Sequence, residues 1–366
     1  ITPFGKENSW TSRPYSDLTM QALTGYCSVN GNPGHTPLKE PGTESQFMAG
    51  ANAFLGLVSA LVRRDISGTG QSVDISILKT MLSSYGPYLL GALHTQDPRS
   101  QQEQGLHFGL VPCKDGYVTM SVRHEPTWEH LWIFFEDPDF ANDPRYDTAA
   151  KRRASESELA EILLPRLSQY TKKELFEGLS PLRILVGEAQ SMEDIFKDEH
   201  LRERGALFDY SDGFKMPSSP VKLSETPTQF RNRAPDPKDC LITGGNVPAA
   251  KSKKRSYEST TSSGPLSGLK ATVLTQAWAG AYCTQLLADL GMDVVQVESV
   301  TRIDPWRGGF PPRLNGLYPG KDPGLRPWDR NALFNGVNRN KRGITLDLND
   351  HQCKSALIDL VSSSDL

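Results

Sequence analysis

The sequence lacks most of the features that identify a chemistry at once. Its five cysteines (Cys27, Cys113, Cys240, Cys283 and Cys353) are scattered over 366 residues. They form no CxxC pair and no Cys/His group at zinc spacing, which excludes a disulfide framework and a zinc module and favours reduced thiols in a cytoplasmic protein. An excess of either charge is also missing. Forty Lys and Arg face 43 Asp and Glu, giving a net charge of −3 and a pI near 6.2. Such a balance exerts no global pull on nucleic acid or an anionic membrane. The longest apolar runs, such as "SSYGPYLLGAL", read as too short and too broken to span a bilayer. No basic-then-apolar leader opens the chain. No HExxH, P-loop or Ser-His-Asp ordering occurs. The seven histidines, among them His94, His107, His124 and His130, show no ligand spacing, so each reads as a surface or core residue.

The chain carries a clear division into segments. Residues 1–95 open with a Pro/Gly/Ser-rich stretch around one helical run, "YSDLTMQALTGYC", which Gly25 ends. "GTESQFMAG" then begins a helix with the pattern of a capping box, Thr43 answered by Gln46. In that helix Phe47, Ala51, Phe54, Leu55, Val58, Leu61 and Val62 recur at helical spacing and are expected to face the core. "SVDISIL" alternates like a strand, and a helix is expected over about 79–93. Residues 96–205 read as a small α+β domain. A hairpin around "KDG" opens it, and helices follow near 126–136, 154–169 and 171–178. Residues 206–243 form an extended, Pro-punctuated segment returning to the core. Residues 244–266 have linker composition, and there the basic "KSKKR" reads as solvated charge. From 267 to 366 a new domain opens.

In this last segment "LKATVL", "YCTQLLADLG" and "DVVQVE" spell a strand, a helix ended by Gly291 and a second strand, a unit of parallel α/β sheets. Glu298 ends the second strand where dinucleotide folds place a ribose-binding acid. The turn, however, is "TQAWAGAYC" and lacks the GxGxxG fingerprint, which argues against a nicotinamide dehydrogenase. The small turn Ala279-Gly280-Ala281 either admits an anion to a helix N-terminus or packs helix against strand. "NGVNRNKRGITLDL" gathers Arg339, Lys341 and Arg342 before a strand, as a phosphate clamp or a charged surface turn. Arg307 in "IDPWRGGFPP" has the same two readings.

Together these motifs resemble family III CoA-transferases, the group that includes formyl-CoA and carnitine CoA-transferases. "LTQAWAGAYCTQLLADLGMDVVQVE", "DPWRG" and "NRNKRGITLDL" look like the family's N-terminal half. "YSDLTMQALTG…AGANAFLGLVSALVRRDISGTGQSVDISIL" is similar to its middle, "DGYVTMSV…DPRYDTAAKR" to its small domain and "PVKLSETPTQFR" to its closing segment. The order is inverted, N-terminal half after C-terminal half. A window cut from a tandem protein explains this more simply than circular permutation, since both ends read as interrupted. The resemblance implies an α/β fold with a Rossmann-like parallel sheet core and a smaller α+β domain, present as two partial units. It implies pairing as well, as an intertwined dimer or between two units of one chain.

The family transfers CoA from an acyl-CoA thioester to a carboxylic acid through an Asp nucleophile, which forms an anhydride and then an aspartyl-CoA thioester. Coenzyme A is a substrate there, and no tightly bound cofactor is implied. By its spacing to Gly50, the Asp position falls on Gln46, and a neutral amide cannot form the anhydride. The first unit is therefore expected to be catalytically silent, and the isolated chain inactive. The family's glycine-rich loop has no match near "QQEQGLHFGLVPC". Coenzyme A contacts carry over to Trp278, Ala279, Arg307, Asn338, Lys341 and Arg342. Two other readings stand: a racemase of the same family, whose His position aligns with Ser16, and a non-catalytic structural unit.

Overall fold

The computed structural model describes residues 1–30, 35–95, 106–122, 125–211, 214–228, 264–308 and 317–366. The polar break expected after residue 95 lies outside these residues. So do Cys240, His124, the end of the 206–243 segment, and the linker up to residue 263 with its "KSKKR". The chain divides into two compact units, one of residues 1–102 with 248–366, the other of residues 103–247.

The first unit begins with five helices: α1 (Asp17–Leu23), α2 (Tyr26–Val29), α3 (Glu44–Ser67), α4 (Ile77–Ser84) and α5 (Gly86–Thr95). Ser16 and Thr19 close a capping box at α1, and Gly25 takes a positive φ of 79° between α1 and α2, as only a residue without Cβ does cheaply. α3 stops at Gly68, φ 75°, whose N–H reaches the Arg64 carbonyl at 2.7 Å. The expected strand over "SVDISIL" does not form. Only Ser76 makes an isolated parallel bridge, to Thr2, before capping α4. The single helix expected over 79–93 is broken at Tyr85, ahead of Gly86-Pro87, because Pro87 has no N–H to continue the helical ladder and is tolerated only in the first turn of a new helix.

The expected core face of α3 is overturned. Its buried residues are the small Ser45, Ala49, Ala53 and Ser59, while Phe47, Phe54, Leu57, Val58 and Leu61 are exposed. Small residues let neighbouring segments come close: a Cβ on Gly56 would already meet Val73 Cγ1 at 3.0 Å. By length and composition α3 is also apolar enough to cross a membrane, contrary to the sequence expectation. Reading single apolar runs missed this, because Gly, Ala, Ser and Asn break the runs without adding charge.

The second unit is an α+β body that runs past residue 205, so the segment expected to return to the core from residue 206 begins instead with a hairpin of this unit. β1 (Leu106–Cys113), β2 (Gly116–Val122), α6 (Glu125–Phe134), α7 (Ala149–Ala154), α8 (Glu156–Leu167), α9 (Lys172–Leu179) and β3 (Leu185–Glu188) follow in order. The strands form an antiparallel sheet, β1-β2-β3. Its alternating Val118, Met120 and Val122 pack with Trp128, Trp132, Leu159, Leu163, Leu175 and Leu179, the inward face that period-two alternation dictates. α10 (Met192–Lys197), α11 (Glu199–Glu203) and the hairpin β4 (Leu207–Ser211) to β5 (Phe214–Pro217) complete it.

The chain then returns to the first unit with β6 (Lys270–Val273), α12 (Ala279–Asp289), β7 (Asp293–Glu298), α13 (Ala332–Val337), β8 (Arg342–Thr345) and α14 (His351–Ser362). The strands are parallel in the order β6-β7-β8. Residues 1–95 and 264–366 thus share one body. Val62 of α3 packs against the core around Ala271, Ala288 and Val294, and Leu90 of α5 against Ala281, Leu333 and Val337. The tightest approach is α5 on α13, where a Cβ on Gly336 would stand 2.6 Å from the Pro87 nitrogen. His94 Nδ1 lies 3.1 Å from the Leu317 carbonyl oxygen at the same junction.

Candidate functional site

Gln46 stands exposed in the first turn of α3, but the expected capping box is not made. The Thr43 side chain makes no capping bond, and the Gln46 N–H donates to the Thr43 carbonyl at 3.0 Å. Asp17 of α1 caps the helix instead. Its Oδ1 accepts from the Ser45 N–H at 3.0 Å and from the Ser45 hydroxyl at 2.5 Å. Its Oδ2 accepts from Gln21 Nε2 at 2.7 Å and lies 3.2 Å from Lys39 Nζ. Burial on its own would raise this carboxyl's pKa. The Ser45 hydroxyl and N–H, with Lys39 and Gln21, outweigh burial and hold it below the usual value. The anion that suits a helix N-terminus is therefore present beside Gln46, but it is buried and saturated with partners.

The second pole of the site is the start of α12. Trp278 precedes the helix, with no side-chain cap, after Ala277 at φ 61°. Gly280 has a structural reason, since a Cβ there would meet Thr275 at 2.4 Å. Lys341 reaches this turn: its Nζ donates to the Ala281 carbonyl and to Asn338 Oδ1, both at 2.8 Å. Asn338 is itself held, donating to the Phe334 carbonyl at 2.9 Å. Burial lowers the Lys341 pKa to about 8, partly opposed by Asp304 and Cys283. The other cations of the basic turn are spent on acids: Arg339 on Asp289 and Arg342 on Asp293. Of that cluster, Lys341 is the cation bound only by neutral oxygens.

Arg307 is equally committed. Its guanidinium donates to both Glu298 oxygens, at 2.8 and 2.5 Å, and lies 3.6 Å from the centre of the Phe334 ring. The acid that a dinucleotide ribose would use is thereby covered by an arginine. Trp278 does not offer a bare ring face either. It stacks on Tyr88 with centroids 5.7 Å apart and takes Trp306 edge-on at 4.0 Å. Tyr88 continues to Tyr85 at 4.6 Å, and Tyr85 to Tyr26 at 4.5 Å. Sequence reasoning missed both Asp17 as the cap of α3 and this aromatic row. The only signals were an Asp at a helix start and three isolated tyrosines. No group of three or more metal-ligating side chains occurs among the described residues.

Comparison with known proteins gives the family. The sequence matches CoA-transferase family III over residues 1–238 and 266–366. The chain belongs to that family. It is 24% identical to the probable CoA-transferase Rv1866 of Mycobacterium tuberculosis, with 100% of this chain and 45% of the relative covered. It is 30% identical to succinyl-CoA:mesaconate CoA-transferase of Haloarcula hispanica, covering 61% of this chain and 58% of that one. For succinate–glutarate CoA-transferase of Agrobacterium fabrum the identity is 24%, and the coverage 64% and 61%. The chain thus spans about half to three-fifths of the length of these relatives. A CAIB/BAIF family protein from Brucella suis shares the fold, with a TM-score of 0.58 at 22% identity, covering 64% of this chain and 63% of that one.

Proposed function

We propose that this chain is part of a cytoplasmic CoA-transferase that moves CoA between an acyl-CoA thioester and a carboxylic acid, and that it holds CoA without making the covalent intermediate. Residues 1–243 are the closing part of one Rossmann-like unit and residues 267–366 the opening part of the next, in a tandem protein whose units pair. Related transferases named for succinyl-CoA, glutarate and mesaconate support the reaction class. The observation that carries the reading is the Lys341 ammonium fixed on the first turn of α12. A half-buried cation beside open helix N–H groups suits a phosphate. Silence of the covalent step follows from Gln46, whose amide is neither anionic nor a leaving group. The racemase reading loses support from Ser16, which offers no imidazole and accepts a hydrogen bond from the Thr19 N–H as a cap.

The test is CoA binding by calorimetry to the chain and to Lys341→Met. Loss of one charge-assisted contact is worth about 1.5–3 kcal/mol, so affinity is expected to fall roughly 10- to 100-fold. The pH dependence has a definite sign. With the Lys341 pKa lowered to about 8, the wild-type chain binds CoA less well as pH rises through that value. Equal affinity of the two proteins would overturn the assignment of Lys341.

A further inference from the structure

The row Tyr26–Tyr85–Tyr88–Trp278–Trp306 joins the two poles of the site within one compact unit. At one end Trp278 precedes α12. The other end lies beside Glu40, whose N–H donates to Gln21 Oε1 at 2.9 Å. Gln21 in turn bonds Asp17, the cap on Ser45 next to Gln46. The three tyrosines are half-buried and Trp278 is 44% exposed, so the row presents ring edges and hydroxyls along its length.

Around the three tyrosines of the row the charge has one sign. Among the described residues, the charged groups acting on the three phenols are Glu40, and for Tyr26 also Glu44. Burial first, and these carboxylates in addition, raise all three tyrosines above their ordinary pKa. Lys39, the neighbour of Glu40 in the chain, is already committed. Lys39 gives its ammonium to Asp17 and to the Glu40 and Gly42 carbonyls, the latter two at 2.5 and 2.7 Å.

We infer that the tyrosine row is the acyl side of the CoA site and that it selects thioesters of aryl-substituted monocarboxylic acids over those of short dicarboxylic acids. The inference rests on the CoA-transferase reading. An aryl group gains edge-to-face contacts along the row. The free carboxylate of a dicarboxylyl group is brought against Glu40, and among the described residues no cation acts on the three phenols to receive it, a like-charge juxtaposition that excludes the wrong ligand.

The test is equilibrium binding of CoA, phenylacetyl-CoA and succinyl-CoA to the full chain, followed by Trp fluorescence or calorimetry. Phenylacetyl-CoA is expected to bind at least tenfold more tightly than succinyl-CoA. Glu40→Gln is expected to strengthen succinyl-CoA binding while leaving CoA itself unchanged. If CoA binds but the two thioesters bind alike, the selectivity is overturned and the CoA-transferase reading stands. If CoA itself does not bind, the reading beneath the proposal fails with it.

Discussion

Gly336→Ala is expected to destabilise the first unit by about 3 kcal/mol, at the upper end of what overpacking costs in a well-packed core. The new Cβ would lie 2.6 Å from the Pro87 nitrogen and 2.7 Å from its Cα. Backbone cannot swing aside as a side-chain tip can, so α5 and α13 must separate. The gain in helix propensity from Gly to Ala, about 1 kcal/mol, offsets only part of this. Gly343→Ala is the control, because a Cβ there meets nothing within 4 Å. Thermal unfolding distinguishes the two: Gly336→Ala lowers the midpoint and Gly343→Ala leaves it nearly unmoved. Equal midpoints would mean that residues 1–95 and 264–366 do not share the close helix crossing described above.

Asp17→Ala is expected to be as costly, about 3 kcal/mol, because buried donors left unsatisfied cost about 1–3 kcal/mol each. It strips the cap from the Ser45 N–H and hydroxyl, leaves Gln21 Nε2 without its acceptor and leaves Lys39 without its carboxylate. The pH dependence follows from the lowered folded-state pKa of this carboxyl. A depressed acid contributes stability that is fully present above its unfolded value, near 3.8, and is lost as pH falls through the folded one. Denaturation midpoints of wild type and Asp17→Ala should therefore differ most at pH 7 and draw together as pH falls below 3.8. A constant gap across that range would assign the cost to packing alone.

The sequence made the parallel strands, the helix α12 and the small α+β body legible, because each carries its own period and its own turn residues. Gly291, at φ 97°, ends α12 where the sequence reading placed it. The failures share one cause. Hydrophobic period alone assigns the large residues of α3 inward, whereas this helix buries Ala49 and Ala53 and leaves Phe47 and Phe54 outside. Close approach through small side chains competes with burial of large ones, and only the partner's position decides between them. The same holds for the site. Thr43 and Gln46 have the spacing of a capping box, yet Asp17, 28 residues before Ser45, occupies the cap. Arg307 and Arg342 look like phosphate ligands in sequence and are ion-paired with Glu298 and Asp293 in the fold. Local spacing reports which chemistry a segment can offer, and tertiary partners report how much of it is already spent.

That distinction bears directly on Gln46. On the proposed reading the position matching Gln46 carries the carboxylate that attacks the thioester, while here the carboxylate that caps that helix end is the saturated Asp17, and Glu44 lies in the same first turn. Gln46→Asp would place a further carboxylate in this exposed turn, where the helix dipole favours it. Whether such a variant regains adduct chemistry reports on the remainder of the site. The wild-type chain reports on the central claim. The decisive measurement is the intact mass of the denatured chain after incubation with phenylacetyl-CoA or succinyl-CoA. The account predicts the unmodified mass with both, because bound CoA leaves on denaturation and no carboxylate at position 46 exists to retain it. A hydroxylamine-sensitive increase equal to a CoA thioester, or to an acyl group, on any carboxylate of this chain would contradict it.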